Sequence, residues 1–372
     1  MSESSNMVEP AIPGVSRNVA DGPRHMPVTI DRGAWLEHYW GGTVRVHECT
    51  KGYLSAWVDR LYKGNNAALH LRIYGRLCFG MDIEALFGPR VQIDFINAPG
   101  GTCAGWLGIQ VFAVEAKEGT RLSLIPVSGG RQAWTLESAT ARMGYVPYVA
   151  SREHDFRVAC RATINSGFDC LQRQGFQPSD LVRTWFYFQD VLRDYVVFNE
   201  VRKEIFIDQQ LTRLPASTGI QGGSVTGELV TMGLLAFSGL NLVCSAVSNP
   251  VQCEASSYGP MFSRAILTEG AGPRQLIVSG MAAIDVAGRT THVGDPLAQV
   301  DDTLARAAQL LEANHLSWSQ VVAGVVYLSP TCYAEILVYL ESTVVVLLPV
   351  AYSIADVCRP DLLFEIEFTA FG

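Results

Sequence analysis

The chain has 372 residues, enough for two or three ordinary domains around a large buried core. It is 48% hydrophobic and 17% charged, with a net charge of −8 and no basic block, so nucleic acid is not an expected partner; an anionic small substrate stays compatible, because a few buried arginines bind carboxylates whatever the global charge. Nine cysteines, an odd number without a CxxC or CxxxC pair, read as reduced core thiols of a cytoplasmic protein rather than as a disulfide framework or a zinc site.

No apolar run reaches roughly 18 uncharged residues, so no membrane span is expected. Residues 1–26 are polar, contain Gly and Pro, lack a signal-peptide core, and read as a disordered tail. Residues 27–150 form a β-rich N-terminal domain in which 92–96 and 121–126 read as strands and 97–101 as a turn or loop.

Residues 151–250 then read as one α+β unit: a helix over 156–174, a strand over 181–188, a second helix over 195–206, the segment Leu214-Pro-Ala-Ser-Thr-Gly-Ile220, and a strand over 228–236. The order returns in a second unit, 258–372. A hairpin or meander over 275–286 leads to a helix over 297–314, where Val300, Leu304, Ala307 and Leu311 share one face. A strand over 321–328, a helix over 332–343, the segment Leu348-Pro-Val-Ala-Tyr-Ser-Ile354 and a strand over 362–370 follow, with Tyr327 falling on Tyr187. Each copy reads β-β-α-β-α-β, with helices on one sheet face. Two long copies indicate duplicated domains, because a solenoid needs three or more shorter repeats.

The copies differ in their closing strand. Alignment at Ala236-Phe237 and Ala370-Phe371 sets Thr231 opposite Glu365 and Gly233 opposite Glu367. Residues at i and i+2 share a strand face, so both acids lie on the face turned from the core that Phe364, Ile366 and Phe368 enter. They are either solvated edge glutamates or a general acid tuned by a partly apolar pocket. Cys358 and Arg359 precede them by a short turn, the 258–264 segment supplies Tyr258 and Arg264, and Gly280 allows close approach of a ligand. No serine-triad elbow, P-loop, dinucleotide Gly motif or HExxH occurs, and the histidines are scattered, so neither a cofactor nor a metal is expected.

Five segments carry a family resemblance: 181–187, Phe198-Asn199 with Arg202, 215–220, 262–265, and above all Ala355-Asp-Val-Cys-Arg-Pro-Asp-Leu-Leu-Phe-Glu-Ile-Glu367. They resemble the chorismatase family, chorismate-cleaving enzymes built from domains like the small imine deaminases of the RidA/YjgF group. The resemblance covers about 150–372 well and the N-terminal third loosely.

It implies cleavage of the enolpyruvyl ether of chorismate with release of pyruvate, and Glu365 as the acid that protonates the terminal methylene. Cys358, seven residues before that Glu, and Gly280 in place of Ala resemble the subtype that forms 3-hydroxybenzoate. The hydrolytic subtype, which leaves a dihydroxycyclohexadiene carboxylate, and a mixed 3-/4-hydroxybenzoate producer are the alternatives. Chorismate carries two carboxylates, for which Arg264 is the first candidate, with Tyr258 as an oriented donor and Arg359 and Arg183 as further candidates.

An imine deaminase is disfavoured because no Arg lies between Pro349 and Cys358, where the single-domain relatives hold their substrate carboxylate. A metabolite-binding module without chemistry is the non-enzymatic alternative. Relatives of this domain type form trimers with sites at subunit junctions. Two copies plus the N-terminal domain would mimic that arrangement in one chain, which favours a monomer with an internal pseudo-trimer over a trimer.

Overall fold

A computed structural model describes residues 15–17, 27–45, 56, 59, 66–75, 91–98, 106–224, 226–257 and 259–372. Apart from 15–17, the tail over 1–26 lies outside the described residues, as do most of the loop over 97–101 and Tyr258. No helix among the described residues is long and apolar enough to cross a membrane.

Three sheets carry the fold, and all three repeat one topology. The first contains β1 (Val15–Arg17), β2 (Val28–Asp31), β3 (Trp35–Arg45), β4 (Ala67–Tyr74), β5 (Val91–Asn97) and β6 (Trp106–Ala116). The second contains β7 (Arg121–Pro126), β8 (Gln132–Glu137), β9 (Ala141–Ala150), β10 (Leu181–Phe188), β11 (Ala216–Gln221) and β13 (Val230–Gly239). Between the last two, β12 (Gly223–Ser224) crosses over to pair with β5 and completes the first sheet. The third contains β14 (Val243–Val247), β15 (Ala265–Glu269), β16 (Gln275–Ala282), β17 (Val321–Leu328), β18 (Val350–Ile354) and β19 (Phe364–Phe371).

In each sheet one parallel pair (β4–β5, β10–β11, β17–β18) is flanked by an antiparallel closing strand (β6, β13, β19), which also pairs with the strand that begins the unit's core (β3, β9, β16). The mixed α+β, RidA-like architecture expected for two copies therefore holds for three sheets, and the N-terminal β-rich part is built on the same plan.

Strand membership corrects two boundaries. β7–β9, read from sequence as part of the N-terminal domain, are hydrogen-bonded in the second sheet, and β14, read as the end of the first copy, pairs with β15 in the third. The turn residues around 118–120 and 240–242 gave no signal of which sheet the flanking strands would join, since antiparallel pairing is set by partners distant in sequence. The hairpin expected over 275–286 is also corrected. Residues Gln275–Ala282 form one strand, bulged between Val278 and Met281, whose antiparallel neighbours are β15 and β19.

Helices α1 (Phe156–Arg173) and α2 (Val191–Asp208) cover one face of the second sheet, and α3 (Pro296–Ala313) and α4 (Tyr333–Leu340) cover the third. The three long helices start alike: Asp155, Asp190 and Asp295 each accept a hydrogen bond from the backbone N–H three residues on, satisfying a donor that the first turn leaves orphaned. α1 and α3 are each followed by a residue with positive φ, Gly175 and His315, and then by a one-turn 3-10 helix over 178–180 or 318–320 that aims the chain into the next strand.

The faces of the second and third sheets left free by these helices turn toward each other and toward the first sheet. Tyr74, Tyr187 and Tyr327 occupy equivalent positions on β4, β10 and β17 and meet at the centre. The Tyr74 and Tyr187 hydroxyls are 3.1 Å apart, and the Tyr74 and Tyr327 rings meet edge-on at 6.4 Å. This is the internal pseudo-threefold arrangement anticipated above.

The cross-strand partners of these tyrosines are Gly108, Thr231 and Glu365. At the seam between the third and first sheets, a Cβ on Gly108 would lie 2.0 Å from the Tyr352 carbonyl oxygen, so backbone packs on backbone and no room is left for a side chain. Gly108→Ala is expected to destabilise the fold by about 2 kcal/mol or more, because the obstacle is main chain that cannot rotate away; a denaturant midpoint unchanged from wild type would contradict this packing.

Candidate active site

The seam between the second and third sheets is open. It holds a cavity of about 390 Å³, with Glu365, Gly280 and Cys358 from the third unit on one side and Thr218, Asn199 and Arg202 from the second on the other. The corresponding seam between the first and second sheets holds a cavity of about 30 Å³, lined in part by Tyr148, Thr231 and the Asp94–Arg131 ion pair. Among the described residues, the roomier of these two seams is also the one with an acid beside its central tyrosine.

Glu365 and Glu367 are not solvated edge residues: β19 is an inner strand of its sheet and their exposures are 6% and 2%. Phe364, Ile366 and Phe368 alternate with them and enter the core under α3, as the period of two requires.

The two acids have opposite settings. Glu367 Oε2 accepts from Arg183 Nη2 at 2.7 Å and its Oε1 accepts from Trp185 Nε1 at 3.0 Å. Among the described residues no side-chain hydrogen bond reaches the Glu365 carboxyl. Burial first, then the charge of Glu367, push the Glu365 pKa up to about 8, against the opposing pull of Arg183 and Arg264. Glu365 is thus a carboxylic acid that keeps its proton at neutral pH while facing a cavity.

Gly280 has a specific reason to lack a side chain. An ideal Cβ there would fall 2.0 Å from Glu365 Oε1 and 3.4 Å from Thr218 Cγ2. The close approach that the sequence assigned to a ligand is made by the acid itself, which uses the space over Gly280. The Gly280 N–H donates to Thr218 Oγ1 at 3.0 Å, tying β16 to the first Leu-Pro segment across the seam.

Cys358 faces the same cavity, and burial followed by the neighbouring Glu365 pushes its thiol up to about 12. It is a thiol at neutral pH, able to donate or shape but not to act as a resident thiolate. The six described cysteines, 160, 170, 244, 253, 332 and 358, are all unbridged.

Arg264 and Arg359 line the cavity. The Arg264 Nε donates to the Cys253 carbonyl at 2.8 Å, and its guanidinium lies 5.5 Å from the Phe262 ring centroid. Arg359 Nη1 donates to the Gly288 carbonyl at 2.8 Å. Arg183 is placed differently. It is 1% exposed, lies outside the cavity wall, and directs its guanidinium to Glu367, Thr218 and the Val278 carbonyl. It supports an acid from behind rather than meeting a ligand, a distinction sequence could not draw because its partners lie 35 to 184 residues away.

Arg202 was not among the site residues read from sequence, although it stands in one of the segments that carry the resemblance. It reaches the cavity from α2, donates to Asn199 Oδ1 at 2.6 Å, and stacks 4.5 Å from the Phe198 ring centroid. Its signal was the i, i+3 and i, i+4 spacing of Phe198, Asn199 and Arg202, which puts the three on one helical face. Ser217, Thr218 and Gly219, from the first Leu-Pro segment, also line the wall.

No family model matches the chain. Over 243 residues, 56% of this chain and 68% of the relative, it is 29% identical to a 3-hydroxybenzoate synthase of Streptomyces hygroscopicus. A chorismatase crystal structure superposes with a TM-score of 0.65 at 19% identity, covering 89% of this chain and 98% of that one. A Rid-family protein from Yersinia pestis aligns over 35% of this chain and all of its own length, at 18% identity and a TM-score of 0.29. The three sheets repeat the α+β plan described above, and the chorismatase structure shares that fold over most of its length. In sequence the chain is similar to that 3-hydroxybenzoate synthase and in fold to that chorismatase, in line with the resemblance carried by the motif over 355–367.

Gly280→Ala is expected to leave the fold intact, because the obstructing atoms end a side chain that can rotate, and to lower turnover by about tenfold or more as the carboxyl is displaced by an ångström or so. Wild-type turnover in a folded Gly280→Ala protein would show that the position of the carboxyl over this glycine does not matter.

Proposed function

We propose that the chain cleaves the enolpyruvyl ether of chorismate, releasing pyruvate and forming 3-hydroxybenzoate, with Glu365 as the general acid. The observation that carries the reading is a buried, protonated carboxyl facing a cavity with arginines in its wall. The named relative supports the choice of product.

An enol ether is inert until its terminal methylene takes a proton. That proton converts the side chain to an oxocarbenium ion and weakens the bond from the ring carbon to the ether oxygen. A carboxyl already neutral at pH 7 supplies it without a prior change of ionisation. Arg264 and Arg202, on opposite walls, would hold the two substrate carboxylates and set the methylene against Glu365. In the aromatising route the ring's own 4-hydroxyl displaces the side chain, and the epoxide-like intermediate then opens and loses a ring proton. Cys358, a thiol beside Glu365, is the group we assign to steering this step. The chain is read as independent of any cofactor.

Glu365→Gln is expected to reduce pyruvate release by about 10²-fold or more. A carboxyl pKa raised on folding favours the proton-bound native state, so stability is fully present below the unfolded value and is lost as pH rises from about 4.5 to about 8. The glutamine, which cannot ionise, escapes that loss, and the variant is expected to melt higher than wild type above pH 8, by an amount on the order of a few kcal/mol. In wild type kcat is expected to hold at acid pH and fall above about 8 as Glu365 deprotonates. Retained turnover in Glu365→Gln would place the acid elsewhere.

Cys358→Ala is expected to divert product from 3-hydroxybenzoate toward the dihydroxycyclohexadiene carboxylate, read by chromatography after incubation with chorismate. An unchanged product ratio would remove Cys358 from the mechanism.

A further inference from the structure

Glu365 and Glu367 project from the same face of β19 into one seam, yet among the described residues the side-chain donors that reach either carboxyl, Arg183 and Trp185, reach Glu367. Arg183 Nη1 donates to the Val278 carbonyl at 3.0 Å, while Nη2 is shared between Glu367 Oε2 at 2.7 Å and Thr218 Oγ1 at 2.6 Å. The Trp185 N–H completes the second oxygen of Glu367. Trp185 itself is stacked between two guanidiniums, with Arg72 4.1 Å and Arg183 5.1 Å from its ring centroids, so all three sheets contribute to holding this one carboxylate.

We propose that Glu367 is a positioning residue for the general acid: it engages the donors that would otherwise turn to Glu365 and presents its own negative charge, so that Glu365 remains a proton donor. This rests on the reading of Glu365 as the acid. Each sheet has a residue cross-strand from Arg72, Trp185 or Val325, namely Gln110, Gly233 and Glu367. A carboxylate stands there only in the sheet that also has an acid beside its tyrosine.

The other groups facing Glu365 are Arg183 on β10, Tyr327 on β17, Arg264 just before β15, and Cys358 and Arg359 in the turn before β19. Of the charged groups acting on it, the two cations, Arg183 and Arg264, favour its ionised form and Glu367 opposes them. Replacing Glu367 by a neutral isostere removes that opposition and leaves Arg183 without its counter-charge. Both effects lower the pH at which Glu365 loses its proton.

The test is Glu367→Gln, with the Glu365 carboxyl followed by carbon-13 NMR of labelled glutamate, assigned against Glu365→Gln, beside the pH profile of kcat on chorismate. The expected result is a Glu365 titration displaced downward by about one pH unit or more, a matching move of the alkaline limb, and about fivefold or more lower kcat at pH 8 with KM within about twofold. A Glu365 titration identical to wild type overturns the proposal. Displaced titration with an unmoved kcat limb supports the coupling and instead removes Glu365 from the role of acid, so the two readings fail separately.

Should Glu367→Gln not fold, the double variant Arg183→Met with Glu367→Gln, which leaves no unpaired buried charge, carries the same measurement. There Glu365 is expected to titrate below wild type, and an unchanged value overturns the proposal.

Discussion

The seam between the second and third sheets buries two carboxyls beside one fully committed guanidinium, and that allocation of charge governs the site. A buried carboxylate without a cation and hydrogen-bond donors is costly, and the usual outcome is that the group keeps its proton. Here Glu367 takes Arg183 and the Trp185 N–H, while burial first and then the neighbouring Glu367 charge push the Glu365 carboxyl up. Arg183 at 1% exposure is stable only because Glu367, Thr218 and the Val278 carbonyl receive its protons, and removing any one partner leaves an unsatisfied charge in a dry place.

The rest of the molecule is arranged around that seam. Three sheets of one topology meet at Tyr74, Tyr187 and Tyr327, and the residue opposite each tyrosine sets the character of each seam. Gly108 lets the chain close tightly against β18, Thr231 lines a cavity of about 30 Å³, and Glu365 stands in one of about 390 Å³. The N-terminal sheet is part of the same device, because Arg72 on β4 stacks on the tryptophan that holds Glu367. A raised carboxyl pKa is a stored cost in the folded protein, and such costs concentrate where chemistry needs them.

Much of this was legible in the chain. The two Leu-Pro segments, the alternation around Glu365 and the helical face of Val300, Leu304, Ala307 and Leu311 are local patterns of period two or 3.6, and the structure reproduces them to within a few residues. The third copy was not legible. The strands of the N-terminal sheet pair across gaps of many residues, and nothing in the order of 27–150 announces that β7–β9 leave it for the second sheet. Nor could Arg183 be told from Arg264: both are arginines in motif-bearing segments, and only their partners, one a buried glutamate and the other the rim of a cavity, assign them different work.

By itself the sequence carried the duplicated unit, the acid-bearing copy, and the resemblance in which Glu365, Cys358, Gly280 and Arg264 stand as candidates, because each of these is a local pattern or a contiguous motif. Tertiary structure alone decided which seam among the described residues holds the large cavity, that Gly280 makes room for the acid rather than for a ligand, and that Glu365, unlike Glu367, lacks a hydrogen-bonded cation and is pushed up by burial. Ionisation depends on burial and on charges brought together from β10 and β19, 184 residues apart in the chain, and no pattern read along one strand contains that distance.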